Sequence, residues 1–289
     1  MKLELDHPET NSIAPANRSI RFPRPEDLHS LSTPELRDSF LVTDLFAPGE
    51  VRTVYTALDR LALGGAVPTA PLPLRGIAEF GTRYFTERRE LGILNIGPPG
   101  AIRVHTTEYP LDSLDCLYIG KGEEDIVFLP TGPRPPVFYL LSCPAHQACP
   151  TRKIARDEAR PEAIGQALSA SKRTIHKYIH PGGAQSCQLV MGLTELEPGS
   201  VWNTMPPHTH SRRTEIYLYF SLGEAIAVHL MGPPQSTRSL IVRDRQAVLS
   251  PDWSIHCAAG TSSYAFIWGM AGENQDFSDM DPVSLKDLM

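Results

Sequence analysis

The sequence predicts a mainly β chain made of two related barrel- or sandwich-like halves, and three observations carry that expectation. Short apolar segments recur at close spacing, 27 prolines and 21 glycines punctuate them, and helical periodicity is confined to two stretches. In order, the strand-like segments of the first half are RTVYTALDRLAL (52–63), ELGILNIG (90–97), AIRVHT (101–106), CLYIG (116–120), DIVFL (125–129) and VFYLLSC (137–143). Those of the second half are CQLVMGLTEL (187–196), EIYLYFSL (215–222), AIAVHLM (225–231), SLIVRD (239–244), QAVLS (246–250) and YAFIWGMAG (264–272). Turn formers such as GPPG, GKGEED and PTGPRPP separate them. The helical stretches are TPELRDSFLV (33–42) and PEAIGQALSASKRTI (161–175).

A weak internal repeat sets the organisation. TERRELGILNIG (86–97) and HSRRTEIYLYFS (210–221) share a basic pair, an acid and an alternating apolar strand. Further on, LDCLYIGKGEEDIVF (114–128) echoes RQAVLSPDWSIHCAAG (245–260). The expected domains are therefore 31–155 and 156–289, joined near PTRKIARDEARPEA. Residues 1–30 form a proline-rich arm, expected to pack on the body or on a neighbouring subunit.

With 289 residues, 41% hydrophobic and 21% charged, the chain has the composition of a globular protein with a real core. Its apolar runs are too short to span a membrane and no apolar signal core opens it, so a cytoplasmic location is expected. A net charge of −6 argues against a nucleic acid or an anionic membrane as main partner, but a few local arginines can still hold a small acidic ligand. The five cysteines (116, 143, 149, 187, 257) are scattered and read as free thiols. The cluster CPAHQACP, with Cys143, His146 and Cys149, matches no common zinc spacing and reads as a loop.

The stretch NTMPPHTHSRRTEIYLYF (203–220) carries the chemistry. In a strand, residues two apart share a face, so His208 and His210 project together. The turn SRRT brings Glu215 back on the next strand, with Tyr217 and Tyr219 on its face. His256, about forty positions later in SPDWSIH, offers a fourth ligand. Three imidazoles and a carboxylate suit Zn²⁺, Mn²⁺, Fe²⁺ or Ni²⁺ alike. His7, His29, His105, His146, His176, His180 and His229 have no such arrangement and read as structural.

The H-x-H-x4-E motif with a later histidine resembles the metal motif of the cupin superfamily. It departs from the general consensus at Gly199, too far before His208, and at Trp253, where glycine is usual. The blocks RRELGILNIG, LYIGKG, CQLVMGLTELEPGSVWNTMPPHTHSRRTEIYLYF, SPDWSIH and FIWGMAGENQDFSDMD closely resemble the bacterial 5-keto-4-deoxyuronate isomerases (4-deoxy-L-threo-5-hexosulose-uronate ketol-isomerases). The resemblance runs from about residue 36 to the end. It implies a tandem cupin, two jelly-roll (double-stranded β-helix) barrels with few short helices, assembled as a homohexamer. It also implies one Zn²⁺ per chain in the second barrel, on His208, His210, Glu215 and His256, and a first barrel without metal.

The implied reaction is an aldose–ketose shift of a small acidic sugar in the breakdown of pectin and related polyuronides. The residues do not identify the proton-transferring group. Tyr217 and Tyr219 are candidates by their inward parity, and Arg173, Lys177, Arg212 and Arg213 are candidates for the substrate carboxylate. Rival readings are an isomerase of another sugar acid such as 5-deoxyglucuronate, an Fe²⁺ cupin dioxygenase, and a non-catalytic sugar-sensing or storage cupin.

Overall fold

The computed structural model describes residues 16–289, in two seven-stranded sheets, two four-stranded sheets and one two-stranded ribbon. The first large sheet runs Arg18–Ile20, Val51–Thr56, Ala62–Ala66, Phe138–Pro144, Arg89–Asn95, Cys116–Ile119, Arg152–Ile154. The second runs Glu162–Ile164, Arg173–Ile179, Val190–Leu196, Ala265–Gly272, Arg213–Phe220, Gln246–Ser250, Leu41–Val42. Each is faced by a four-stranded sheet, and the five inner strands of the two large sheets are wired in the same order, as the internal repeat predicts, while the edge strands differ. In particular, Arg89–Asn95 and Arg213–Phe220 hold the same place, next to the last long strand of their sheet.

Alternation explains how these central strands are buried on both faces. Leu91 and Ile93 point into the first barrel, with Ile102, Phe128, Phe138 and Leu140. Tyr217 and Tyr219 point into the second, with Phe266 and Trp268. The opposite faces of both large sheets meet in a third apolar layer, where Leu94, Leu141, Met191, Ile216, Leu218 and Ile267 pack together. Two glycines let the sheets approach. A Cβ on Gly92 would lie 2.7 Å from Met191 Sδ, and one on Gly269 would lie 2.0 Å from Leu141 Cδ2.

The helix expected over 33–42 forms at Thr33–Phe40. Glu35 accepts from the Ser32 N–H and hydroxyl at 2.8 and 2.6 Å, closing the first turn, while Leu36 and Phe40 are buried. Both side chains, with Leu28 and Leu41, belong to the core of the second barrel, so this segment crosses in space to the far half. The first fifteen residues of the proline-rich arm lie outside the described residues. Its remainder adds the strand Arg18–Ile20 in parallel to Val51–Thr56 and anchors the Leu28 carbonyl on Arg238 at 2.6 Å.

Two local expectations are corrected. The stretch 161–175 is not helical: Glu162–Ile164 pairs antiparallel with Arg173–Ile179 through a loop. Gly165 in that loop has φ +79°, and the Ser171 hydroxyl accepts the Gln166 N–H at 3.2 Å, so turn chemistry overrides the apolar spacing. The stretch 52–63 is not one strand but a hairpin broken at Asp59 and Arg60, at φ 41° and 55°. Neither residue is a glycine or proline, which is why the break does not show in the sequence.

Candidate metal centre

Parity places the four expected ligands on one spot. Glu215 lies on the inward face of Arg213–Phe220, next to Ser250 on one neighbouring strand and Met270 on the other. His256 is the second residue of the strand Ile255–Gly260. His208 sits in a two-residue strand paired with Asp281–Pro282, and His210 follows two positions on, just before the turn. His208 Nε2 lies 3.1 Å from both His210 Nε2 and His256 Nε2. Glu215 Oε2 lies 3.1 Å from His210 Nε2 and 2.8 Å from His256 Nε2. All four donor atoms lie within 4.8 Å of one another, close enough to share one ion, since donors at metal-bond lengths of about 2.0–2.1 Å in a tetrahedron sit about 3.3 Å apart.

The outer nitrogens agree with that reading. His210 Nδ1 donates to the Asp279 carbonyl at 2.9 Å, which turns the lone pair of its Nε2 toward the cluster. His256 Nδ1 lies 3.2 Å from the Ser250 hydroxyl. Nitrogen lone pairs and an ionised carboxylate oxygen thus converge in a buried space, an arrangement that a central cation stabilises. Burial, with His256 beside it, pushes the His208 imidazole down to about 3. Burial alone would raise Glu215, but His256 and His210 outweigh it and hold the carboxyl well below its ordinary range. The donor set fits a divalent metal.

A cavity of about 340 Å³ opens onto this cluster and is lined by His208, His210, Glu215 and Tyr217 and also by Arg173. Burial lowers the Arg173 pKa, and the guanidinium donates to the Ser171 carbonyl at 2.8 Å. No carboxylate among the described residues lies within ion-pair distance of it. Tyr217, whose hydroxyl is 3.3 Å from Thr204 Oγ1, is raised well above the ordinary tyrosine range by burial and then by Glu215, so it stays protonated.

The other sequence candidates are placed elsewhere. Tyr219 lies deeper, its hydroxyl 2.7 Å from His229 Nδ1. Lys177 pairs with Glu162 at 2.9 Å and lies 4.4 Å over the Phe277 ring. Arg212 and Arg213 face away from the cavity, into the C-terminal segment: Arg212 Nε donates to both Asp279 carboxylate oxygens at 2.9 Å, and Arg213 Nη1 donates to the Asp276 carbonyl at 2.6 Å.

The sequence profile of the KduI/IolB family matches residues 41–284, most of the chain. The chain belongs to the KduI/IolB family. Within it, the chain is 56% identical to a 4-deoxy-L-threo-5-hexosulose-uronate ketol-isomerase of Opitutus terrae, covering 92% of this chain and 97% of that protein. It is 49% identical to the protein of the same name from Halalkalibacterium halodurans, covering 91% and 97%. Among solved structures, an IolB-like protein from Salmonella typhimurium LT2 superposes with a TM-score of 0.68 over 84% of this chain and 96% of that one. At 15% identity, that match bears on the fold alone.

In this KduI/IolB chain, the cavity wall supplied by Phe277 and Met280, and the Asp279 carbonyl on His210, are the parts that sequence reasoning did not assign. They come from a segment with no strand or helix pattern of its own. The available signal was the block GENQDFSDMD, whose acids stand opposite the basic pair Arg212–Arg213.

Proposed function

We propose that this protein is a metal-dependent ketol-isomerase that converts 4-deoxy-L-threo-5-hexosulose uronate (5-keto-4-deoxyuronate) to 3-deoxy-D-glycero-2,5-hexodiulosonate, in the breakdown of pectin and other polyuronides. The observation that carries the reading is one cavity lined by His208, His210 and Glu215 of the three-imidazole, one-carboxylate cluster and by the Arg173 guanidinium, which has no ion-pair partner among the described residues. The shared name of relatives at 56% and 49% identity selects the substrate. His208, His210, Glu215 and His256 would hold the ion, which we assign as Zn²⁺, one per chain. The same donors accept Mn²⁺, Fe²⁺ or Ni²⁺. When bound, the ion supplies Lewis acidity to adjacent carbonyl and hydroxyl oxygens of the sugar.

The chain's own residues do the rest. Arg173 binds the substrate carboxylate and so sets which end of the open-chain sugar enters first. Tyr217 keeps its proton on Oη and donates a hydrogen bond to a substrate oxygen while a proton moves from C2 to C1. Phe277, Trp268 and Met280 exclude water around the reacting carbons. In this reading the first barrel is scaffold, with the domain division near residue 155, and the assembly is a cytoplasmic homohexamer. Among the described residues no helix is long and apolar enough to cross a membrane.

The test is proton NMR of freshly generated 5-keto-4-deoxyuronate with purified protein. Conversion to the 2,5-diketo product, lost on chelation and restored by Zn²⁺, is the expected result. A folded, metal-loaded sample that converts nothing overturns the reading. Replacing Arg173 by Met is expected to raise KM about 10–100-fold, the loss of a charge-assisted contact of roughly 1.5–3 kcal/mol, with metal content unchanged.

A further inference from the structure

The segment Glu273–Val283 folds back over the cluster and is held at both ends of its arc. The Glu273 N–H donates to the Arg212 carbonyl at 3.0 Å, and the Val283 N–H donates to the Pro207 carbonyl at 3.0 Å. Between them, Arg212 clasps Asp279 and, at 3.0 Å, Asp281, whose other oxygen accepts the Ser211 hydroxyl at 2.6 Å. Asn274 Nδ2 donates to Asp279 at 2.6 Å. Arg213, almost wholly buried, donates to the main-chain carbonyls of Asp276 and Asp279, and its Nη2 also lies 3.3 Å from His210 Nδ1, against the same ring edge. The Asp279 carbonyl therefore accepts from both Arg213 and His210 Nδ1. Phe277 and Met280, on the same arc, line the cavity.

We propose that Arg212 and Arg213 are positioning residues that pin this strap so that its Asp279 carbonyl fixes the ring of His210 for the metal and its Phe277 and Met280 form the substrate wall. The inference rests on the metal-dependent reading above. It also gives the basic pair a role that neither substrate contact nor solvation supplies. Two adjacent arginines divide the work by geometry: Arg212 holds the strap's side chains from outside, and Arg213 holds its backbone from inside. A carbonyl with two donors has little freedom to swing, so the imidazole it accepts from keeps one orientation and one tautomer. Because one strap carries both features, a change at its anchors moves metal affinity and KM together.

The test uses full-length wild type, Arg212→Ala and Arg213→Lys. Zn²⁺ affinity is read by competition with a chromophoric chelator, ring geometry by the visible absorption of the Co²⁺-loaded protein, and the fold by thermal unfolding of the metal-free form. Arg212→Ala is expected to weaken Zn²⁺ about 10–100-fold, alter the Co²⁺ bands and raise KM, with little change in metal-free unfolding. Arg213→Lys keeps the charge but cannot fork to two carbonyls, so it shifts the same readings. Because Arg213 is buried, Arg212→Ala decides the matter if the lysine variant does not fold. Zn²⁺ affinity within twofold of wild type and an unchanged Co²⁺ spectrum in folded Arg212→Ala overturn the inference and leave the metal reading standing. A wild type that binds no Zn²⁺ overturns both.

Discussion

The two barrels share the wiring of their inner strands and differ in what their matched positions hold. Leu91 occupies the register place of Glu215: it lies opposite Ser142 and Ile119, as Glu215 lies opposite Met270 and Ser250. Ile93 stands where Tyr217 stands, and Asn95 where Tyr219 stands. Asn95 is spent on structure, donating to the Pro98 and Leu111 carbonyls at 2.8 and 3.1 Å. Arg89 matches Arg213, and both are buried. Yet Arg89 donates to its own sheet at Ser142 and lies 4.1 Å over the Phe80 ring, whereas Arg213 reaches out to the strap. The buried arginine is thus a property of the scaffold that the second barrel turns to a new use. The outward faces, which meet at the seam, are apolar in both halves except at Glu90 and Thr214. A few inward positions and one C-terminal strap separate a packed core from a candidate active site.

Exchanging residues at the matched inward position is the strongest way to break this comparison. Glu215→Leu is expected to abolish stoichiometric metal and to cut turnover to below about one-thousandth, since several kcal/mol of stabilisation depend on a complete ligand set. The metal-free variant is expected to unfold at the same temperature as metal-free wild type or higher, because a buried carboxylate has been exchanged for packing. Leu91→Glu is expected to do the opposite: no metal gained, and about 3–5 kcal/mol lost in urea unfolding, because the carboxylate displaces packed apolar groups and the buried Arg89 guanidinium on the same face is already held by Ser142 and the Arg60 carbonyl. If Leu91→Glu were as stable as wild type to within about 1 kcal/mol, the first interior would not be the dry core described here.

The cluster was legible because it obeys periodicities. His208 and His210 are two apart and Glu215 follows after a turn, so spacing brings these three together, while His256 stands out by its residue type near the start of a later strand, Ile255–Gly260. The repeat was legible for the same reason, since Arg89–Asn95 and Arg213–Phe220 carry matched patterns. What was not legible depends on contacts between distant segments. Leu36 and Phe40 predict a helix but not that it packs in the far barrel, and Trp253, odd in a glycine position, covers that helix with its ring 6.1 Å from Phe40. Arg212 and Arg213 read as anion binders because nothing local shows that Asp279 and Asp281, some seventy residues on, already occupy them. Tyr219 had the right parity but the wrong depth.

The seam offers a finer comparison. Glu90, at the root of the first central strand, accepts from the Cys187, Gln188 and Leu189 N–H groups at 2.7–2.8 Å and from the Tyr118 hydroxyl at 2.7 Å. Thr214, its counterpart, donates its N–H at 3.0 Å and its hydroxyl to Asp59. Each contact ties one barrel's central strand to the segment that enters the matching strand of the other. Glu90 is fully buried and carries more bonds, so Glu90→Gln is expected to cost about 2–4 kcal/mol, and Thr214→Val about 1 kcal/mol, in urea unfolding. Equal costs would mean that the pseudosymmetry of the seam extends to its energetics.

The smallest expected effect concerns the linker, which touches both halves through one residue. The Arg156 N–H donates to Asp115 of the first barrel at 3.0 Å, and its guanidinium pairs with Glu195 of the second. Glu195 also faces His176 at 3.1 Å, while Lys153 pairs with Asp115 at 2.9 Å beside them. The hydrogen bond from His176 and then the Arg156 pair hold the Glu195 carboxyl below its ordinary value of 4.5, against the opposing pull of partial burial. A depressed carboxyl contributes stability that is fully present above the unfolded value and is lost as pH falls through the folded one. The window therefore lies below about pH 4.5. In metal-free protein, so that ligand protonation does not intrude, Glu195→Gln is expected to unfold at a lower temperature than wild type at pH 6. The gap should close as both are taken down toward pH 3. A gap that stays constant across that range would assign the effect of Glu195 to packing and remove the linker's charge from the account of how the barrels are held together.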